Sequence, residues 1–473
     1  MREVLEREDK WDVDDRFEVP DLASCFGAAR IDEDTVDLVS EYYDTRERDL
    51  QAHRVLVRRR SGEDDTGWQV KLPAADGRME LHWPLTDKPP KSLLDLLVGV
   101  SLGKPLDQVA TVHTVRGRHR FHVDGSDEVY AELVDDRVRA WAGDRLLAWR
   151  EVEVELGPAA RSMPKAAVKR LRAAGARPSR YPSKLAHVLP PPPQPEPEST
   201  AARVFTEYLD AQVDAIVAGD IGLRRGQDPI HDTRVAMRRL RSTLRVFAQL
   251  LDDSAVGDLE DELKWFAGLL GEVRDCQVQR QRFTEAIDEL PVDLVLGPVR
   301  SRVHHDLQAV ELPARAAVAE AMDSPRYLAI LAVLRRWRDQ PPLRPGATAA
   351  QIRAASKKAQ RKADRRLAAA MADDVPTAWH RARKACKRAR YAAELCTGLP
   401  GSTKATRMVK HYKQFQSVLG DHQDAVVAEE TLRRMGVAAG TTVGENGFTF
   451  GLLLAREQRI AQECRAKARE LAG

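Results

Sequence analysis

The chain has 473 residues, 43% hydrophobic and 31% charged, which suits a soluble, charge-rich protein of two to four domains, each with an adequate core. Basic and acidic residues nearly balance at a net charge of +3, so any anion-binding role must come from local clusters and not from the field of the whole protein. Five scattered cysteines (Cys25, Cys276, Cys386, Cys396, Cys464) without a Cys-x-x-Cys pair argue against a disulfide scaffold or a structural zinc site and fit a reducing compartment. The charged N-terminal stretch does not read as a signal peptide and no apolar run approaches membrane-spanning length. No membrane association is expected, and the cytoplasm is the expected compartment.

From residue 1 to about 188 the pattern alternates with period two. It predicts strands near 3–13, 37–44, 54–60, 67–73, 78–85, 112–123, 128–139 and 147–156, then a helix at about 163–174 ended by Gly175. Several strands carry charge in phase: Glu6, Glu8 and Lys10; Arg58 and Arg60, with Lys71 on the next strand; Arg116, Arg118 and Arg120; Glu151, Glu153 and Glu155. One such strand would simply turn its charges to solvent. Several of them, with both signs, point to one shared interior: a closed barrel with acids and bases in its lumen and helices over its apolar outer faces. Carboxylates take hard cations such as Mg²⁺ or Mn²⁺, while Arg and Lys neutralise phosphate oxygens. Such a lumen suits a divalent metal holding a polyphosphate.

Leu189-Pro-Pro-Pro-Pro-Gln-Pro-Glu-Pro-Glu198 is a stiff polyproline-like spacer. It sets the expected organisation: a domain over 1–188, a linker at 189–199, and a helical domain over 200–473 whose halves, about 200–340 and 346–473, are separated by Pro341–Pro345. Early in the helical part, His231, Arg234, Arg238, Arg241 and Arg245 share one narrow helical stripe beside an apolar one of Thr233, Met237, Leu240, Leu244 and Phe247. A solvated helix normally mixes both signs for i,i+4 pairing. This stripe carries only donors, which multivalent phosphate would compensate.

The stretch recurs. An offset of 149 residues places His231, Arg234, Arg238, Arg239 and Arg241 on His380, Arg383, Lys387, Arg388 and Arg390, and the register holds from Lys264 to Asp275 against Lys413 to Asp424. That reads as a duplicated helical unit. Glu394 takes the place of Arg245 in the second copy, so the two basic faces are unequal. No aromatic residues interleave the stripe, so the base stacking used by single-strand nucleic-acid binders is not visible. Met237 and Cys386 read as equivalent core positions, and His304-His305 and the run Arg361–Arg366 as solvated surface.

In order along the first half stand Glu6-Arg-Glu8-Asp-Lys10, Tyr43-Asp-Thr, Arg58-x-Arg60, Lys71-Leu-Pro, Arg78-x-Glu80, Arg116-x-Arg118, Glu132 with Asp136, the acidic run 151–155, and Ser183-Lys184. This ordered set resembles the CYTH family, the triphosphate tunnel metalloenzymes. It departs from the family where Arg54 stands near the place of a glycine and Val57 replaces a leucine. The resemblance implies a multidomain α+β chain that begins with an eight-stranded antiparallel tunnel and flanking helices. It implies Mg²⁺ or Mn²⁺ held by Glu6 and Glu8, with Asp136, Glu151, Glu153 and Glu155 as the further candidates. Lys10, Arg58, Arg60, Lys71, Arg78, Arg116, Arg118 and Lys184 would grip a triphosphate. Glu6, Glu8 and Lys10 would serve an in-line attack of water on the terminal phosphorus.

The His-x-x-Arg-Val-x-x-Arg-Arg-x-Arg stretch, its copy, and Leu270-Gly271 with Asp275 against Leu419-Gly420 with Asp424 resemble the CHAD domain, a duplicated all-α module that binds inorganic polyphosphate. The resemblance implies polyphosphate contacts at His231, Arg234, Arg238, Arg239, Arg241, His380, Arg383, Lys387, Arg388, Arg390 and Lys413, with the chain as a partner of polyphosphate granules. The alternatives are non-catalytic polyphosphate capture, nucleotide cyclisation and nucleic-acid binding.

Overall fold

The in-phase charges of the first half sit on strands β1 (Arg2–Glu6), β2 (Glu8–Val13), β3 (Ala28–Asp44), β4 (Leu56–Gly62), β5 (Gly67–Ala74), β6 (Gly77–Trp83), β7 (Asp107–Val123), β8 (Val129–Ala142), β9 (Arg145–Leu156) and β10 (Arg177–Pro178). The structure, a computed structural model, describes residues 2–62, 65–125, 127–191 and 197–472; residues 192–196 of the proline spacer lie outside the described residues. The chain forms two units, residues 1–194 and 195–473.

All the strands join one antiparallel sheet in the order β1-β6-β5-β4-β3-β7-β8-β9-β2-β10. The expected closed barrel of eight strands is therefore corrected to an open ladder of ten. The single strand predicted at 3–13 breaks at Arg7: β1 pairs with β6, and β2 pairs with β9. Two halves of one extended stretch thus serve opposite arms of the sheet, which are tied covalently through Arg7. Beside this seam Gly77, at φ 129°, comes so near that a Cβ there would lie 2.2 Å from the Glu6 carbonyl oxygen, an approach only glycine permits. β10 adds a two-residue pairing on β2. β3 is longer than predicted because Ala28–Asp34 shows no clear apolar-polar alternation; cross-strand pairs such as Asp32↔Arg120 and Asp34↔Arg118 carry that half of its ladder with β7.

The first unit's helices are α1 (Ala23–Phe26), α2 (Asp49–Ala52), α3 (Lys91–Ser101), α4 (Lys165–Ala173) and α5 (Lys184–Val188). α1 and α4 cover the apolar face of one arm, where Phe26, Ala167 and Leu171 pack with Trp11, Phe121, Leu133, Val152 and Val154. Leu171 and Val152 are fully buried, each contributing about 1.5–3 kcal/mol. Covering this face leaves the other phase of the same strands, the charged one, to line a cavity.

The second unit is helical: α6 (Thr200–Arg224), α7 (Ile230–Val246), α8 (Asp253–Val256), α9 (Leu259–Asp288), α10 (Val299–Met322), α11 (Pro325–Asp339), α12 (Ala349–Asp373), α13 (Pro376–Cys396), α14 (Thr403–Gly440) and α15 (Phe448–Glu470). The 149-residue offset carries α6 onto α12 residue for residue and matches α7 with α13, α9 with α14 and α10 with α15. Even the caps correspond. Ser199 accepts a hydrogen bond from the Ala202 N–H, and Thr348 forms a capping box with Gln351. Met237 and Cys386 are both fully buried. Among the described residues no helix is long and apolar enough to cross a membrane.

Candidate functional site

Alternation along the strands points one row of charges inward, and pairing sets those rows side by side. Across β2, β9, β8 and β7 the register aligns Glu8, Glu155, Glu132 and Arg120, and in the next row Lys10 with Glu153. Together with residues of β1, β4, β5 and β6 they line a cavity of about 590 Å³. It collects Glu6, Glu8, Lys10, Arg58, Arg60, Lys71, Arg78, Arg116, Arg118, Glu153, Glu155 and Lys184, all singled out in the sequence. Arg120, His82, Glu80 and Tyr42 line it as well. Arg120 was legible from its phase with Arg116 and Arg118. Tyr42 was hidden behind Tyr43, whose ring instead packs on Trp68 at 4.9 Å.

The carboxylates fall into two groups, each with ligand atoms within 4.8 Å of one another: Glu6, Glu8 and Glu155, and Asp136, Glu151 and Glu153. The second group surrounds an ammonium. Lys184 Nζ lies 2.8 Å from Asp136, 2.7 Å from Glu151 and 2.9 Å from Glu153. Arg116 adds a bidentate pair with Asp136 at 2.8 and 2.7 Å, and Lys10 donates to Glu153. Burial works against the charges of Asp136 and Glu153, but Arg116, Lys184 and Lys10 outweigh it and hold both carboxyls below their usual range. Burial raises Glu151 despite Lys184, and the indole N–H of Trp149 fixes its other oxygen at 2.6 Å.

The first group lacks such a central cation. Burial, reinforced by Glu6, pushes the Glu155 carboxyl up to about 8. Burial also opposes the Glu8 charge, but Lys10 outweighs it and holds the carboxyl low. Glu8 Oε2 is buried and faces the Lys10 ammonium at 3.1 Å. Three crowded oxygen donors, one of them pushed toward its protonated form, are the donor set a hard divalent cation requires. Glu6 also receives Lys71 Nζ at 2.7 and 2.6 Å, and Lys71 lies 3.2 Å from Glu80. Arg58 donates to Gln69 and reaches Glu80 at 3.3 Å, Arg60 meets Asp65 at 2.8 Å, and Arg118 is bidentate with Asp34 at 2.6 and 2.8 Å. Arg78 donates to the Pro182 carbonyl at 2.8 Å.

In the second unit α7 packs against α13, its own counterpart, and the basic stripes converge on a crevice of about 510 Å³. Arg234, Arg238, Arg241, Arg383, Lys387 and Arg388 line it, joined by Arg245, Lys264 and Lys384. Lys264 was signalled by its register with Lys413, whereas Lys384 has Val235 as counterpart and carried no signal. Burial, with Arg383 and Arg238 alongside, brings the Lys387 ammonium down to about 6.

The remaining expected contacts do not line this crevice. Arg239 and Arg390 share the Glu394 carboxylate at 3.1 and 2.9 Å, clamping α7 to α13. His231 is exposed, His380 bonds Gln423 at 2.6 Å, and Lys413 is exposed on α14. Asp275 reaches Arg234 at 3.4 Å. His304, His305, Arg361 and Arg366 are exposed.

A family comparison matches residues 28–181 to the CYTH domain and residues 207–433 to the CHAD domain. An uncharacterized protein of Mycobacterium tuberculosis is 32% identical over 501 residues, covering 98% of this chain and 94% of its own. Among solved structures, PptA from Streptomyces chartreusis is 22% identical with a TM-score of 0.48, over 57% of this chain and 98% of that one. The CHAD domain from the plant Ricinus communis is 27% identical with a TM-score of 0.48, over 59% of this chain and 94% of that one. The chain belongs to the proteins in which a CYTH domain is followed by a CHAD domain.

Proposed function

We propose that the first unit is a metal-dependent triphosphatase acting on inorganic triphosphate or polyphosphate, and that the basic crevice of the second unit binds polyphosphate. The observation that carries the first reading is the meeting of Glu6, Glu8 and Glu155 with a ring of buried cations in one 590 Å³ cavity. A divalent cation, Mg²⁺ or Mn²⁺, held by those three carboxylates would neutralise phosphate oxygens. Arg58, Arg60, Arg116 and Arg118 offer guanidinium forks to the phosphate chain, and Lys71 and Lys10 offer point charges. Asp136, Glu151 and Glu153 hold Lys184, Lys10 and Arg116 in place. Water attacks the terminal phosphorus in line, the bond to the bridging oxygen breaks, and the charge left on that oxygen meets preorganised cations in a poorly hydrated cavity.

Orthophosphate release from tripolyphosphate and from ATP, with Mg²⁺ or Mn²⁺, tests the reading. Glu6→Gln is expected to abolish turnover with the fold retained, because Lys71 keeps Glu80 as counter-ion at 3.2 Å and the glutamine carbonyl can still accept from it. Wild-type turnover by that variant sinks the metal assignment, and tripolyphosphate bound by the wild type without release makes the first unit a capture module.

For the second unit the carrying observation is the set of cations in the α7–α13 crevice. Arg383, Lys384, Lys387 and Lys264 have no carboxylate within ion-pair distance among the described residues, in a unit where most Arg side chains do. Binding of polyphosphate is expected to weaken steeply with salt.

A further inference from the structure

The α7–α13 crevice is not the end of the cationic surface. Arg245 and Arg388 also line a second cavity of about 810 Å³, between the C-terminal end of α7 and the face of α12 that carries Lys358 and Lys362. No carboxylate lines this groove, and neither lysine has an ion-pair partner among the described residues.

The repeat explains how the groove arose. Under the 149-residue offset Phe205, Leu209 and Val213 of α6 fall on Ala354, Lys358 and Lys362 of α12. In the first copy all three are buried, Phe205 edge-on to Phe247 with ring centroids 5.6 Å apart. In the second copy a phenylalanine's volume has become an exposed alanine, and two core positions have become lysines one helical turn apart. Positions that belong to the core in one half of the molecule thus line an open cationic trough in the other. Packing alone does not account for trading two buried apolar side chains for two unpaired charges on one face.

We propose that this trough is a second subsite for the same ligand, in which a long linear phosphate chain leaves the α7–α13 crevice past Arg388 and Arg245 and runs along Lys358 and Lys362. The proposal rests on the reading of the second unit as a polyphosphate binder and adds chain-length selection to it. A triphosphate fits within the crevice and never reaches α12, whereas a chain of many phosphates engages both cavities. A single-stranded nucleic acid is the poorer occupant, because the only aromatic ring in the lining, Phe247, is buried and offers no face for a base.

The test compares binding of tripolyphosphate, a polyphosphate of several tens of units and a single-stranded DNA of matched charge. It uses the full-length wild type, the double variant Lys358→Gln/Lys362→Gln, and Ala354→Phe, which restores the bulk of the first copy without changing charge. Losing two phosphate contacts is expected to weaken the long chain about 3- to 10-fold and to flatten its salt dependence by about two ions. Ala354→Phe is expected to weaken the long chain as well. Tripolyphosphate affinity stays at the wild-type value in both. Unchanged long-chain affinity in the double variant overturns the subsite, as does an equal loss for tripolyphosphate. An equal loss for DNA overturns the phosphate-chain assignment. Failure of the underlying reading shows separately, as wild-type protein that does not bind the long chain.

Discussion

Replacing Lys184 by methionine probes the electrostatic frame of the first unit. The substitution removes the ammonium that touches Asp136, Glu151 and Glu153 at 2.7–2.9 Å and leaves three buried carboxylates facing one another. Deleting one partner of a buried ion pair costs about 3–5 kcal/mol, because the remaining charge has neither water nor a counter-ion. For a unit of this size that is a drop in melting temperature of roughly 6–20 °C. The loss must depend on pH. Asp136 and Glu153 are held below their usual range, so their contribution is present above the carboxylate range of the unfolded chain and fades as pH falls through their folded values. Lys184 is held above its usual value, so its contribution persists until pH passes 10.5. Calorimetry of the full chain should therefore show the largest loss near neutral pH and a smaller one at about pH 3, inside the window between the unfolded and folded carboxyl values in which the contribution fades. Mn²⁺ should restore part of the loss, since the freed carboxylates then present a three-oxygen site. A loss below about 1 kcal/mol, typical of an exposed pair, or one equal at both pH values, would refute the reasoning.

Other outcomes follow from the same geometry. Burial pushes Glu155 up to about 8, so Mn²⁺ binding should release a proton and tighten as pH rises from 6.5 to 9; calorimetry in buffers of different ionisation enthalpy reads this, and a flat profile contradicts it. Glu155→Gln should remove that pH dependence and weaken the metal. Burial and neighbouring arginines bring Lys387 down to about 6, so the unfolded chain binds more protons than the native one between there and 10.5, and this lysine makes stability rise with pH across that window. Lys387→Met should accordingly raise the melting temperature near pH 7 while weakening polyphosphate, and a variant that loses both stability and binding counts against the assignment. Glu394→Gln should destabilise the second unit by about 1–3 kcal/mol, because Arg239 and Arg390 lose their shared carboxylate, without reducing polyphosphate affinity. A binding loss there would return both arginines to the phosphate site.

The strands were legible because their charged face is the inner one. Arg58 with Arg60, Arg116 with Arg118, and the glutamates of 151–155 stood in phase, and phase survives whatever the sheet does next. What could not be read was pairing between residues far apart in the chain. Nothing near Arg7 says that Glu6 will lie opposite Arg78 and Glu8 opposite Glu155, so one strand was expected where two serve different neighbours. Lys184 was placed among the cations, but its seat between three carboxylates depends on how α5 meets β8 and β9. The basic stripes of the second unit followed from helical spacing. Their division of labour did not, since the carboxylate that engages Arg239 of one copy belongs to the other.

The seam at Arg7 also orders the protein's birth on the ribosome. Residues 2–13 are made before their partners, so β1 must wait for β6 and β2 must wait for β9, at Arg145–Leu156, before either can pair. During that interval the exposed edges of the growing sheet are open to wrong partners, a hazard built into any topology whose contacts span so much of the chain. Glu6 can settle with β1 once β6 is made, but Glu8 waits on β2 until β9 supplies Glu155, so the acidic trio is assembled only when the sheet is otherwise complete. A half-made chain would hold the cations of β4, β5 and β7 without Glu8 and Glu155 in place, and its first anion would be whatever the surrounding solution offered.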